Sequence, residues 1–190
     1  MTLRRVLALL VALSGLAVVA PAAQAAPQPS AEQAACQRTL PSYPILHLGD
    51  RSRAVRTLQC SLNDLDLGPV VVDGYYGRQT RRAVWQIVKN FEGGPPEHPF
   101  RINNGMWTLL FGCQLPDHRL AEGDRGHAVV VLQRALRAAG GSIVVDGDFG
   151  PQTTAVVKQY QKAQGNTQTG RVEESTRFIL CMGGVIGQLD

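Results

Sequence analysis

The sequence predicts an all-α fold built from two tandem three-helix modules joined by a short linker. A ten-residue pattern occurs at residues 71–80 and again at 144–153: an apolar pair, Asp-Gly, a variable residue, an aromatic residue, a second Gly and, three residues later, a Thr. Apolar residues recur at intervals of three and four on both sides of each copy, which is the spacing of amphipathic helices. A repeated turn between repeated helices indicates that a whole module is repeated.

The first 25 residues have the features of a secretory signal peptide. Arg4 and Arg5 precede an uncharged apolar run over residues 6–20, and Ala-Gln-Ala at residues 23–25 fits the cleavage pattern. The general secretory route fits better than the twin-arginine route. No later apolar run is long enough to span a bilayer. We therefore expect a secreted, extracellular protein that can associate with the cell wall and has no membrane segment in its mature form.

The mature chain is only weakly basic. Loss of Arg4 and Arg5 from the 19 Lys+Arg leaves 17 against 15 Asp+Glu, a formal charge of +2. No block of Lys and Arg interleaves with aromatic residues, which argues against nucleic acid as a partner. A weak positive charge suits loose attraction to an anionic polymer such as a cell wall.

The cysteine count predicts two disulfides, because an even number in an exported chain is typical of a disulfide framework. Three pairings of Cys36, Cys60, Cys113 and Cys181 are possible. We favour Cys36–Cys60, which fastens the start of the mature chain to the first module, and Cys113–Cys181, which joins the ends of the two modules. No Cys-x-x-Cys motif occurs and no His lies at ligand spacing from a Cys, so no metal site is predicted.

Three segments lie outside the modules. Residues 26–43, rich in Ala, Gln, Pro and Ser, are predicted to be a flexible leader. Residues 113–117 form the linker, and residues 183–190 a C-terminal tail. The modules therefore occupy residues 44–112 and 118–182.

The first module begins with an amphipathic helix for which Asp50 or Ser52 can cap the start. The apolar face of this helix consists of Val55, Leu58, Leu62 and Leu65. A second helix follows Thr80, and a short third helix covers residues 105–111. The aromatic position of the repeated turn is occupied by Tyr76 in the first module and by Phe149 in the second. We therefore expect both side chains in the core.

The second module repeats this arrangement. The apolar face of its first helix consists of Val129, Leu132 and Leu136, and Gly140 ends that helix. Pro151 suits the first turn of the second helix, where its missing N–H costs no hydrogen bond. The third helix is predicted over residues 175–180.

An extended motif runs through the first helix and the repeated turn of each module. It reads Leu-x-x-Gly-Asp-Arg-x-x-Ala-Val-x-x-Leu-Gln, starting at Leu46 and at Leu120, followed by Val-Asp-Gly-x-aromatic-Gly-x-x-Thr-x-x-x-Val. This combination resembles the peptidoglycan-binding domain family of type 1, a three-helix module. The resemblance implies a protein that binds bacterial cell-wall peptidoglycan.

The two copies match this family unequally. The second keeps the aromatic-Gln pair of the family at Tyr160-Gln161. The first diverges in its second half: Ile87-Val88 replaces that pair, and residues 92–99 replace a short turn. This divergence leaves an alternative open, in which the module fold binds or inhibits another secreted protein.

No catalytic unit accompanies the motif, so we expect a non-catalytic protein without a cofactor. The histidines form no metal-ligand pattern and no Ser-His or Cys-His constellation. They are His47, His98, His118 and His127. The acid pairs Asp64/Asp66 and Glu173/Glu174 lie at helix ends, which explains them without a glycosidase mechanism.

Candidate ligand-binding positions are those at which the copies differ. Trp85 corresponds to Lys158 and Trp107 to Arg177. Positions that face water in the second copy would leave both tryptophans exposed in the first, where an aromatic face could stack on a sugar. Packing between the modules, or cover by the loop at residues 93–99, is the alternative.

Residues of the repeated turn are further candidates for ligand contact. Tyr75 corresponds to Asp148, and either residue can face a ligand. Asp73 and Asp146 occupy equivalent positions. For these two aspartates, capping or turn formation is the favoured interpretation over ligand contact.

Overall fold

The computed structural model describes residues 36–187, and in this range the chain forms six α-helices with no strand longer than an isolated bridge. They are α1 (Arg53–Asp64), α2 (Arg78–Val88), α3 (Asn104–Gly112), α4 (His127–Ala138), α5 (Pro151–Ala163) and α6 (Glu174–Cys181). The all-α prediction is therefore confirmed. The predicted signal peptide, residues 26–35 of the leader and the last three residues of the tail lie outside the described residues.

Helix boundaries follow the local signals. The Ser52 hydroxyl accepts a hydrogen bond from the Val55 N–H at 3.2 Å, so Ser52 caps α1. Asp50 instead accepts from the His47 N–H at 2.8 Å within the preceding turn. Pro151 occupies the first turn of α5 as predicted. Gly140, with φ of 96°, follows the end of α4 in a conformation that glycine adopts without strain.

The chain has two halves, residues 44–112 and residues 118–182, and each half contains two isolated antiparallel bridges at corresponding positions. They are Leu46–Ile102 and Arg51–Tyr75 in the first half, and Leu120–Val172 and Arg125–Asp148 in the second. The first bridge of each pair ties the segment before the first helix to the segment before the third. The chain therefore follows the same path through both halves.

Helix α3 lies at the centre of the molecule rather than on one side of the first half. All of its residues from Gly105 to Gly112 are buried. It packs against α4 and α6 of the second half as well as against α1. Most of the α3 side chains are apolar, and the buried Thr108 hydroxyl donates to the Asn104 carbonyl at 2.8 Å, so burial on every side removes a largely apolar surface from water. The buried side chains of both halves accordingly form one continuous core.

The contact between α3 and α6 is very close. A Cβ atom added to Gly112 would lie 2.4 Å from the carbonyl carbon of Leu180, so only glycine permits this approach. The disulfide Cys113–Cys181 forms immediately beyond, with a Cα–Cα distance of 4.4 Å. The second disulfide, Cys36–Cys60, has a Cα–Cα distance of 5.9 Å. These are the two pairs favoured from the sequence.

The prediction of a flexible leader is wrong for residues 36–43, which we call the strap. Leu40 is buried, and the Gln37 carbonyl accepts a hydrogen bond from the Thr57 hydroxyl in α1 at 2.7 Å. From α4, the Arg137 guanidinium donates to the Leu40 carbonyl at 2.7 Å. The strap therefore contacts both halves. Its anchors are apolar or aromatic side chains and a disulfide, which the average composition of residues 26–43 conceals.

The linker and the described part of the tail also pack against the helices. Leu115 in the linker is buried. In the tail, the Ile186 N–H donates to the Ala139 carbonyl at 2.7 Å, and the Gln164 amide donates to the Val185 carbonyl at the same distance. These contacts hold the linker and the described part of the tail against the helices.

Candidate functional site

The prediction that Trp107 is exposed and can stack on a sugar is wrong, because its side chain is completely buried. Its indole Nε1–H donates to the Pro44 carbonyl at 2.8 Å, and its ring stacks on Phe111 with 6.2 Å between centroids. Tyr43 of the strap covers the same aromatic group, with its ring centroid 5.3 Å from that of Trp107. Trp107 is therefore a core residue, and these three partners belong to the strap and the first half rather than to the second module.

The predicted turn residues Asp73 and Asp146 hold the repeated turn together. One carboxylate oxygen of Asp146 accepts from the Gln133 amide at 2.7 Å and from the Asp148 N–H at 2.9 Å. Asp73 accepts the same two hydrogen bonds, from Gln59 at 2.7 Å and from the Tyr75 N–H at 2.8 Å. Both contacts support the turn-forming interpretation of these aspartates.

The hydrogen bonds lower the pKa of both carboxyl groups. For Asp146, the bond from the Asp148 N–H is the largest cause and the bond from Gln133 the next. For Asp73, partial burial acts in the opposite direction, but the bonds from Tyr75 and Gln59 outweigh it and the pKa is lowered. The carboxylate form of both groups is therefore favoured by hydrogen bonds that they accept within the turn.

Two buried glutamines organise these turns from the first helix of each half. The Gln133 amide nitrogen also donates to the Asp148 carbonyl at 3.0 Å, and its oxygen accepts from the Gly147 N–H at 2.8 Å. Gln59 repeats this pattern with the Tyr75 carbonyl at 3.1 Å and the Gly74 N–H at 2.8 Å. These equivalent contacts account for the Asp and Gly residues that the two turn sequences share.

Tyr75 and Asp148 are exposed counterparts that both contact an arginine. The Arg51 guanidinium lies 4.0 Å from the centroid of the Tyr75 ring, in a cation–π contact. In the second half, Arg125 forms a 2.9 Å ion pair with Asp148. The two halves thus present different chemistry at this position, an aromatic ring in the first and a carboxylate in the second.

Trp85 remains exposed, as the sequence comparison expected for a position that carries Lys158 in the second half. Its side chain is 39% exposed and lies on the outer side of α2. Its ring packs at a tilt against Phe100, with 6.1 Å between the centroids. The two rings form the wall of a depression of about 450 Å³. Trp85 is therefore available for contact with a ligand.

The same depression contains three arginines that the sequence analysis did not single out. Trp85, Phe100, Arg78, Arg81 and Arg82 line it, and we call this set the arginine–tryptophan surface. The Arg81 guanidinium lies 4.5 Å from the centroid of the Phe100 ring. The missed signal was helical spacing, because Arg78, Arg81 or Arg82, and Trp85 follow one another at intervals of three and four.

A second depression, of about 580 Å³, adjoins this surface at Phe100. It is lined by His47, Leu48, Glu97, His98, Pro99, Phe100 and Arg101. Leu48 is 47% exposed within it. Much of its lining comes from the long loop that distinguishes the first half from the second. The two depressions share Phe100, and both contain apolar and charged side chains.

The corresponding region of the second half is closed. Lys158 and Thr154 of α5 stand where the first half has Trp85 and Arg81, and Gly170 stands where it has Phe100. A Cβ atom on Gly170 would lie 2.9 Å from side-chain carbons of both Lys158 and Thr154. The Gly170 N–H donates to the buried Gln161 at 2.9 Å. The first half carries Val88 in place of Gln161 and therefore lacks this clamp.

The described residues contain no group of three or more His, Cys, Asp or Glu side chains that could hold a metal ion. In the same range, 36–187, every helix is too short or too polar to cross a membrane.

A comparison with protein-family models matches residues 125–180 to a family described as a putative peptidoglycan binding domain. The match includes all of α4 and α5 and nearly all of α6. It confirms the resemblance of the second module. No curated protein and no solved structure matches the chain.

Proposed function

We propose that this is a secreted, non-catalytic protein that binds bacterial cell-wall peptidoglycan. The observation that carries the proposal is the match of residues 125–180 to a peptidoglycan-binding domain. Two disulfides support export, because disulfides persist in oxidising compartments outside the cytoplasm. The predicted signal peptide over residues 1–25 supports the same localisation.

The first half, residues 44–112, is in this proposal a second and divergent copy of the same module. The equivalent bridges, the equivalent hydrogen bonds of Gln59 and Gln133, and the shared Asp-Gly turn support this relationship. In this proposal, sequence divergence of the first copy after Thr80 produced the open arginine–tryptophan surface. The surface offers aromatic faces for sugar rings, and its guanidinium groups can bind carboxylates of stem peptides.

The test is sedimentation of the mature protein with purified, protein-free sacculi. The intact chain is needed, because α3 is shared by both halves and separated halves would expose it. We expect most of the protein in the pellet at low salt. A protein that stays in the supernatant under these conditions would contradict peptidoglycan binding. Incubation of the same sacculi with pure protein should produce no clearing in a zymogram, and clearing would contradict the non-catalytic role.

A second candidate function, binding to another secreted protein, is favoured by exposed apolar side chains on the second half. Phe178 is 64% exposed and Met182, one turn later, is 57% exposed. Exposed apolar groups of this size are typical of protein-interaction surfaces. Absence of sacculus binding together with one specific co-purifying protein, lost in Phe178→Ser, would favour this candidate.

A further inference from the structure

The exposed face of α2 carries positive charge that nothing in its own segment neutralises. Residues 78–90 contain four cations and no Asp or Glu. The cations are Arg78, Arg81, Arg82 and Lys89. Over residues 36–187, none of the three arginines takes part in an ion pair, whereas Arg38, Arg125 and Arg177 do. Like charges held around one depression repel each other, and an anion bound there would relieve this repulsion.

One of these arginines is already held in place. The cation–π contact with Phe100 fixes the Arg81 guanidinium beside the depression, and Phe100 in turn packs against Trp85. A guanidinium fixed before binding loses less conformational freedom on contact with a ligand than a mobile one. The depression therefore combines a preformed cationic group with an exposed aromatic face.

The combination selects for one class of ligand. The guanidinium group binds carboxylate and phosphate through two parallel hydrogen bonds, and the half-exposed indole of Trp85 offers a flat apolar face for the C–H surface of a hexose. A neutral sugar would use the ring alone, and a simple anion would use the arginines alone. A ligand that uses both groups is a sugar with an attached anion.

We propose that the arginine–tryptophan surface binds an acidic saccharide, that is, a sugar chain that carries carboxylate or phosphate groups. The inference deepens the proposed function and rests on it for the choice of the cell wall as the source. It assigns recognition of the anion to the first half, because the second half carries Thr154, Ala155 and Lys158 at the positions of Arg81, Arg82 and Trp85.

The second half also supplies the variant for the test. The triple variant R81T/R82A/W85K gives the first half the residues of the second, and all three positions are exposed, so we expect it to fold with an unchanged circular dichroism spectrum. Lys158→Ala, at the equivalent position of the second half, is the matched control. Only two tryptophans occur in the sequence and Trp107 is buried, so a change in fluorescence on binding reports Trp85 in the wild type and in Lys158→Ala. The triple variant lacks Trp85, so isothermal titration calorimetry is used to compare the affinities of all three proteins.

Four probes are titrated against the full mature protein at low salt. They are a disaccharide-tripeptide from peptidoglycan with free carboxylates, the same compound with its carboxylates amidated, a phosphodiester-linked teichoic acid, and neutral chitotetraose. We expect the triple variant to lose about tenfold or more in affinity for an acidic probe, as expected for loss of charge-assisted hydrogen bonds, and Lys158→Ala to retain wild-type affinity. Addition of 0.5 M salt should weaken the wild-type interaction.

The outcomes separate this inference from the proposed function. Preference for the free carboxylates or for the teichoic acid supports the inference and identifies the source of the anion. Equal affinity for the neutral or amidated probes overturns it. If the wild type and the triple variant sediment equally with sacculi and bind the acidic probes equally, the inference fails while peptidoglycan binding stands. If the wild type does not sediment with sacculi, the proposed function fails.

Discussion

The two tryptophans of the chain lie in opposite environments. Trp107 points into the centre of the molecule, where Tyr43 and Phe111 surround its ring and Pro44 accepts its N–H. Trp85 lies on the outside of α2 beside Phe100. Aromatic residues at positions where a repeat carries a charged residue therefore have no single explanation. One of them stabilises the fold, and the other remains available to a ligand.

Substitution of the two tryptophans should separate stability from binding. Trp107→Ala is expected to lower the free energy of unfolding by about 3–5 kcal/mol, because it removes a fully buried aromatic side chain and leaves a cavity. Trp85→Ala should cost about 1 kcal/mol or less, since its side chain is exposed, yet it should weaken wall binding. Urea denaturation and sacculus sedimentation measure the two effects. Equal destabilisation by both variants would contradict these roles.

The carboxylate of Asp146 should make the free energy of unfolding depend on pH in the acidic range. Its folded-state pKa lies below the ordinary value of 3.8, so the folded protein favours the carboxylate. The resulting stabilisation is present at pH values above about 4 and is lost as the pH falls through the folded-state pKa. Melting temperatures of the wild type should therefore fall as the pH drops below about 4, and less so for Asp146→Asn. An identical pH dependence in both proteins would exclude this role.

At the scale of elements, α3 is the helix on which the architecture depends. Its sequence, Asn-Gly-Met-Trp-Thr-Leu-Leu-Phe-Gly, has no polar face, which is the pattern of a helix buried on all sides. By its position in the sequence, α3 is the closing helix of the first module. This apolar character was visible in the sequence, but the helices that cover it, α4 and α6, belong to the other half.

The close packing of α3 on α6 predicts an unusual effect for a helix substitution. Gly→Ala inside a helix ordinarily stabilises by about 1 kcal/mol. Gly112→Ala should instead destabilise by about 1–3 kcal/mol or more, because the added methyl group would overlap the Leu180 backbone. Gly150→Ala, where the added atom meets open space, is the control and should change the unfolding free energy by less than about 1 kcal/mol. A stabilised Gly112→Ala variant would show that the helices can separate at little cost.

At the scale of the whole molecule, three structures join the halves: the shared core around α3, the disulfide Cys113–Cys181, and the strap. Arg134 of α4 donates to the Thr39 hydroxyl at 2.8 Å, and Arg137 holds the Leu40 carbonyl. The strap is itself bound to α1 through Cys60. The halves therefore behave as one structural unit, although their sequences are those of two modules.

Unfolding of the intact protein should accordingly occur in one transition. Small domains with a continuous core unfold cooperatively, and here the core crosses the boundary between the halves. Far-ultraviolet circular dichroism and calorimetry should give the same midpoint, with the disulfides intact. Two resolved transitions would contradict a shared core. In a Cys113→Ser/Cys181→Ser variant that keeps Cys36–Cys60, loss of the loop with a sequence separation of 68 should lower stability by about 4 kcal/mol in the chain-entropy model.

The sequence by itself determined the helices, the repeated turns and the buried positions Tyr76 and Phe149, because periodicity, capping and turn chemistry act between residues close in the chain. It also favoured the disulfide pairs that the structure contains. Only the tertiary structure decided the burial of Trp107, whose partner Pro44 is 63 residues away, and the position of the strap, where Arg137 holds a residue 97 positions earlier. Contacts at such separations depend on how elements far apart in the chain pack against each other, within one half or between the two, which no local pattern encodes.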